Sequence, residues 1–258
     1  MPEIFVPPER IKAEPDWKVV DVRRGWDDET EYIPNAVRIP FEQFRDPGDE
    51  MEGKLPTPAA FASLLSEAGI ESDDRLVAYD DDHGVYASRF LVTAALFGHD
   101  LERLYLMDGD ITAWARNYET AETVPERKET DYTCEIRTDN SLVSAVDLED
   151  ALDSDAVIVD TRDQIEYDTV HLPGAINFQW HTLVDDEARH LKPRDELESI
   201  LKSHEITPDR PVRLYCNTAR RLSFVYATLL ELGYEDVGFY EGGIKAWTEY
   251  GGSVETTL

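Results

Sequence analysis

VVDVRRGWDDETEYIPNAVRIP (residues 19–40) and IVDTRDQIEYDTVHLPGAINFQ (158–179) lie on one another without a gap. Asp21-Val22-Arg23 meets Asp160-Thr161-Arg162, and Pro34-Asn35-Ala36 meets Pro173-Gly174-Ala175. The correspondence continues downstream in the same order. LVAYDDDHGVYASRFLVTAALFGH (76–99) answers VRLYCNTARRLSFVYATLLELGY (212–234), and MDGDITAWARN (107–117) answers YEGGIKAWTEY (240–250). Blocks recurring in fixed order are the mark of a duplication. They predict domain 1 at 1–120, an exposed polar linker at 121–137 and domain 2 at 138–258. A chain of 258 residues suits two domains, each long enough to bury its own core.

Within each half, short apolar runs alternate with amphipathic segments. Val157–Asp160 and Val212–Tyr215 read as buried strands, and residues around 237–239 as another. Segments 194–204 and 221–232 carry apolar residues at helical spacing, as at Phe224, Ala227 and Leu230. Strands alternating with helices predict an α/β fold, each half a mostly parallel sheet with helices on both faces. Ligands of such sheets sit beyond the carboxyl ends of the strands, where Cys216 stands.

Charge is the loudest bulk feature, with 55 acidic against 25 basic residues and a net charge of -30. That balance argues against nucleic-acid backbones and anionic membranes as partners. The acids are dispersed among apolar runs, as on the solvated faces of folded elements. Together with the excess of arginine over lysine, this resembles the proteins of a salt-loving organism. No run is long and apolar enough for a membrane helix. The opening MPEIFVPPERIKAEPDW lacks a basic start and an apolar core, so the expectation is a cytoplasmic protein. The two cysteines, Cys134 and Cys216, form no CxxC pair, and the six histidines show no metal-binding spacing, so no metal or other cofactor is expected. Cys134 lies in the linker and reads as incidental.

A thiol at a strand-to-helix turn faces the unpaired N–H groups and partial positive charge of the helix that follows. A tight loop aims further N–H groups inward as an anion-binding nest. Both favour the thiolate, which is the nucleophile, and Arg220 and Arg221 add formal charge. A free cysteine is also among the most buried residue types and is often plain packing. The repeat separates these readings. Where domain 2 has Tyr215-Cys216 and two arginines, domain 1 has Tyr79-Asp80-Asp81-Asp82. An acidic loop repels anions, so the pair reads as one active and one inactive copy of a shared scaffold.

These blocks resemble those of the tandem-domain rhodaneses, the thiosulfate and 3-mercaptopyruvate sulfurtransferases. The likeness spans nearly the whole chain. It rests on Asp160-Thr161-Arg162, Glu166-Tyr167, His171-Leu172-Pro173-Gly174-Ala175-Ile176-Asn177, Tyr215-Cys216 with its loop, and Glu241-Gly242-Gly243-Ile244-Lys245-Ala246-Trp247. It implies two tandem rhodanese-like domains, the second catalytic and the first without its cysteine, at Asp80. It further implies that Cys216 takes a sulfane sulfur as a persulfide and passes it to cyanide or a thiol. The substrate-binding loop would comprise Asn217, Thr218, Ala219, Arg220 and Arg221. Phosphatases of related fold need a longer loop, with five residues between cysteine and arginine; here Arg221 follows Cys216 after four.

The loop matches neither sulfurtransferase subtype. Thiosulfate-type loops carry basic residues where this chain has Asn217 and Thr218, and mercaptopyruvate-type loops carry glycine where it has Ala219. The donor therefore stays open. Arg221 matches the closing arginine of the shorter bacterial loops; Arg220 reads equally as a solvated first-turn residue. Asp160, Arg162 and His171 read as structural support, Trp114 and Trp247 as packing, and Trp180 as a candidate pocket residue. A non-catalytic interaction module and a persulfide carrier serving a protein acceptor remain as alternative functions.

Overall fold

Parallel strands covered on both faces lose the inside–outside alternation and read as continuous apolar runs. Leu76–Tyr79, Leu104–Met107 and Val157–Asp160 are such runs, and every residue in them is buried. The computed structural model of the protein describes residues 3–25, 31–48, 53–138 and 140–258. Domain 1 runs β1 (Phe5–Val6), α1 (Pro8–Ala13), β2 (Lys18–Asp21), β3 (Val37–Arg38), α2 (Pro58–Glu67), β4 (Leu76–Tyr79), α3 (Val85–Leu96), β5 (Leu104–Met107) and α4 (Ile111–Ala115). Domain 2 runs α5 (Ala145–Leu152), β6 (Val157–Asp160), α6 (Gln164–Thr169), β7 (Ile176–Asn177) and a short hairpin of β8 (Val184–Asp185) and β9 (His190–Leu191). It continues with α7 (Arg194–Ser203), β10 (Val212–Tyr215), α8 (Arg220–Leu232), β11 (Val237–Tyr240) and α9 (Gly243–Tyr250).

The two sheets share one topology. Domain 1 orders its strands β1-β5-β4-β2-β3 and domain 2 β11-β10-β6-β7, all parallel. Leu142 bridges Phe239 in the place that β1 takes beside β5. Buttressing is duplicated too. Tyr79 Oη accepts from Ile33 N, and Tyr215 Oη accepts from Leu172 N. Arg23 grips Asp21 through Nε and Nη2, as Arg162 grips Asp160.

Alternate strand residues face opposite layers. Val19, Val77 and Tyr105 pack with Trp17 and Trp114 in an outer core of domain 1, while Ile158, Tyr215 and Tyr240 pack with Trp247 in its counterpart. The inner faces, with Val20, Ala78 and Leu104 on one side and Val159, Leu214 and Phe239 on the other, join into one core across the domains. Helices α3 and α8 pack against each other there. Polar ties reinforce the junction: Glu231 Oε2 accepts from Ile4 N, and Arg189, at the tip of the β8–β9 hairpin, ion-pairs with buried Asp110. The loops that start α3 and α8 therefore meet at the domain boundary, and one of them carries Cys216. Among the described residues, no helix is long and apolar enough to cross a membrane.

Candidate active site

Strand β10 delivers Cys216 one residue beyond its pairing with Asp160 and Tyr240, at the carboxyl end of the sheet. The thiol is fully buried. Arg221 Nε donates towards Sγ at 3.4 Å, and Thr218 Oγ1 lies 3.7 Å from it. The chain turns into α8 through Ala219, whose φ of 56° lies in the left-handed region.

The opposing loop in domain 1 shows what such a turn binds. Asp80 is buried, and its carboxylate accepts from four backbone N–H groups: Asp82 and Gly84 on Oδ1, Tyr86 and Ala87 on Oδ2. Burial pushes this carboxyl up to about 7, against the pull of those four donors. Ser88 and Ser223 mark equivalent helix positions, because each donates Oγ to the carbonyl four residues back, Gly84 O and Ala219 O. Gly84, Tyr86 and Ala87 thus correspond to Ala219, Arg221 and Leu222. The two sequence blocks, 76–99 and 212–234, differ by one residue in length, and the extra residue lies in the domain 1 loop, since Asp80 precedes Gly84 by four positions and Cys216 precedes Ala219 by three. The N–H groups of Ala219, Arg221 and Leu222 make no hydrogen bond among the described residues, as expected of a helix start. One copy of the nest is filled by its own carboxylate; the other opens on a sulfur.

Glu166, which the sequence offered only as part of a motif, fastens both ends of the cysteine loop. Its Oε1 accepts from Asn217 Nδ2 at 3.0 Å and its Oε2 from Arg221 Nη1 at 2.8 Å. Asp163 Oδ2 lies 3.0 Å from the same Nη1. Burial works against the Arg221 charge, but Cys216 and Glu166 beside it outweigh burial and hold the guanidinium charged above its usual range. Burial likewise pushes the Glu166 carboxyl up, and the Arg221 bond and charge more than reverse that, leaving it below its ordinary value. Asn217 Oδ1 faces Ile244 N at 3.5 Å. Gly243, with φ of 61°, lies so close that a Cβ there would sit 3.1 Å from Asn217 Oδ1.

Domain 1 forms a wall of the site. A Cβ on Gly53 would fall 2.5 Å from Asn217 O, a clash that only glycine avoids. Gly53 O accepts from Arg89 Nη2, and the same group ion-pairs with Glu241 just before the Gly242-Gly243 turn. Arg220 leaves the loop in the other direction, donating Nη1 to Tyr86 Oη of domain 1 at 2.8 Å. None of these cross-domain partners is visible in the sequence.

The supporting residues bond elsewhere. Asp160 and Arg162 bind each other and the turn around them, with Arg162 Nη2 donating to Val170 O. His171 donates Nδ1 to Tyr167 O and stacks on the Tyr167 ring. Trp180 packs edge-on against Phe224 and faces His83 of domain 1. Trp114 and Trp247 donate Nε1 to Glu119 O and Ser253 O. Cys134 is half-buried in the linker, where burial pushes its thiol up to about 11.

A model of the rhodanese-like domain matches twice, over residues 9–117 and 144–250. The chain belongs to the rhodanese-like family. Its relatives within that family include a protein named as a putative thiosulfate sulfurtransferase from Haloferax volcanii, 30% identical over 252 residues, covering 91% of this chain and 85% of that protein. The 3-mercaptopyruvate sulfurtransferase of Escherichia coli is 27% identical over 239 residues, covering 85% and 80%. The rhodanese fold of SseA from Escherichia coli superposes with a TM-score of 0.82 at 24% identity, over 93% of this chain and 98% of that one. The tandem rhodanese architecture that the resemblance implied is the observed fold.

Proposed function

We propose that the protein is a sulfurtransferase in which domain 2 is catalytic, Cys216 is the nucleophile and domain 1 is inactive. The donor is thiosulfate or 3-mercaptopyruvate, as for the named relatives, and the acceptor is a thiol or cyanide. The Cys216 thiolate attacks the outer sulfur of thiosulfate; an S–S bond forms and sulfite leaves with the electron pair of the broken one. With 3-mercaptopyruvate the C–S bond breaks instead, and pyruvate leaves as its enolate and takes up a proton. Cyanide or a thiolate then attacks the outer sulfur of the Cys216 persulfide, and the thiolate returns, a two-step covalent cycle.

The observation that carries this reading is the Asp80 carboxylate. An aspartate places its oxygens two bonds from Cβ, and a cysteine persulfide places its outer sulfur two bonds from Cβ. Three of the four donors around Asp80, those of Gly84, Tyr86 and Ala87, have counterparts in Ala219, Arg221 and Leu222. They are an internal image of what those N–H groups offer to a persulfide anion on Cys216. Arg221, held by Glu166, supplies the formal charge beside Sγ. Thr218 adds a hydroxyl within reach of the sulfur.

The test is intact-mass measurement after incubation with each donor. The wild type gains the mass of one sulfur atom and loses it on addition of cyanide; Cys216→Ser gains nothing. The donor that loads faster fixes the subtype. A wild type that takes sulfur from neither donor, in high salt and after reduction, returns the chain to the interaction-module reading.

A further inference from the structure

Two arginines at the first turn of α8 oppose the helix dipole, which already places positive charge at an N-terminus. Each needs a counterweight. Arg221 has Glu166 and Asp163. Arg220 finds its counterweight in the other domain. Its guanidinium carbon lies 5.0 Å from the centroid of the Tyr86 ring and 5.4 Å from that of Phe41, and the two rings meet edge to face. Its Nη1 donates to Tyr86 Oη at 2.8 Å, and the half-buried Asp82 lies close enough for their charges to attract. Its Nε is buried without an acceptor among the described residues.

Tyr86 stands in α3 where Arg221 stands in α8, by the register of Ser88 and Ser223. Where domain 2 has its loop-closing arginine, domain 1 has an aromatic hydroxyl that grips the cysteine loop of domain 2. At the other end of that loop, Gly53 abuts Asn217 and is held by Arg89. Domain 1 touches the cysteine loop at both ends. The loop needs such support, because Ala219 sits in a backbone region that disfavours a side chain and releases easily if its neighbours move.

We propose that Tyr86 is a positioning residue of the Cys216 site, acting through Arg220 to fix the helix end of the cysteine loop. This rests on Cys216 being the nucleophile. Arg220 is then an anchor rather than a ligand for the donor anion, and domain 1 is a working part of the catalytic site rather than a relic.

A double-mutant cycle on the full chain decides it. Tyr86→Phe keeps the ring and removes only the hydroxyl. Tyr86→Phe and Arg220→Ala should each lower kcat for thiosulfate-to-cyanide transfer, by about fivefold and about tenfold, with KM for thiosulfate within about twofold. The double variant should be no slower than Arg220→Ala alone, because both changes break one linkage. Arg220→Lys, which keeps charge and a donor, should recover part of the loss. Losses that multiply in the double variant, or a KM that rises for Arg220→Ala while Tyr86→Phe behaves as wild type, would overturn the proposal and make Arg220 a donor-binding residue. The rate of Cys216 alkylation by iodoacetamide reads the same coupling without any sulfur donor. It should rise in both single variants, and no further in the double, as the loop loosens over the buried thiol. If the wild type loads no sulfur, the functional reading fails, while the alkylation cycle still decides the anchoring: non-additive rises uphold it and additive or absent ones overturn it.

Discussion

Arg221 Nη1 donates to Glu166 Oε2 at 2.8 Å, and that bond fixes the plane in which Arg221 Nε meets Cys216 Sγ. Glu166 also takes Asn217, so one carboxylate spans the loop from its first residue after the cysteine to its closing arginine.

Glu166→Gln leaves a shape that fits but removes one of the two charges that oppose Arg221 and one of two acceptor positions. Charge-assisted bonds of this kind make the loss in kcat for sulfur transfer about tenfold. The same carboxyl gives a signature in pH. Its folded value is lowered from 4.5, so the stability it adds is complete above pH 4.5 and is lost as pH falls from there through the lower folded value. Denaturant midpoints of wild type and Glu166→Gln should therefore differ by a constant amount from neutral pH down to about 5 and converge below it. A difference that grows on acidification contradicts the pairing.

Asp80 is the corresponding anchor of domain 1. In Asp80→Asn one oxygen still accepts, but the amide NH2 faces two backbone N–H donors and leaves them unsatisfied. The expected cost is about 2 kcal/mol in chemical denaturation. An unchanged midpoint would mean that the nest does not hold the carboxylate as drawn by its four donors.

What the sequence made legible was whatever repeats or has a period. The gapless match through Asp21 and Asp160 exposed the duplication, and Val212–Tyr215 followed by an amphipathic segment placed Cys216 at a strand end. Glu166 was in view as a motif residue, but its role depends on α6 turning a carboxylate back towards α8, 55 positions away from Arg221. Arg89 and Glu241 are 152 positions apart and meet only because the inner sheet faces share a core. The blocks differ by one residue in length, but the place of the extra residue in the Asp80 loop was hidden because both loops follow a tyrosine and continue into similar helices. The β8–β9 hairpin has two-residue strands, too short to leave a pattern, yet its tip carries Arg189 to Asp110.

Ala219 stands where a glycine would meet no backbone penalty. Ala219→Gly relieves a left-handed alanine but gives up a buried methyl group and adds freedom to the unfolded chain. These terms nearly cancel, so stability should stay within about 1 kcal/mol of wild type, with sulfur transfer retained. Ala219→Val puts a branched side chain in the same backbone state and in a packed site, and should lose more than about 2 kcal/mol together with most activity. Thermal melts and sulfur-transfer rates on the pair separate backbone strain from simple packing: a valine variant as stable and active as the glycine variant would show that the loop leaves the left-handed conformation at no cost.

The net charge of -30 sets the last expectation. A dianionic donor such as thiosulfate approaches this surface against a repulsive field, and the arginine nearest Sγ has its charge balanced by Glu166 and Asp163. Little long-range attraction remains to offset the repulsion. At about 1 M salt the Debye length contracts to roughly 3 Å, which screens the distant carboxylates but not the contacts within the loop. The second-order rate of Cys216 persulfide formation with thiosulfate should therefore rise with salt while circular dichroism stays constant. A neutral alkylating agent attacking the same thiol feels no such field, so its rate should stay nearly flat across the series. A thiosulfate rate that falls steadily with salt at unchanged circular dichroism would show instead that local positive charge steers the donor.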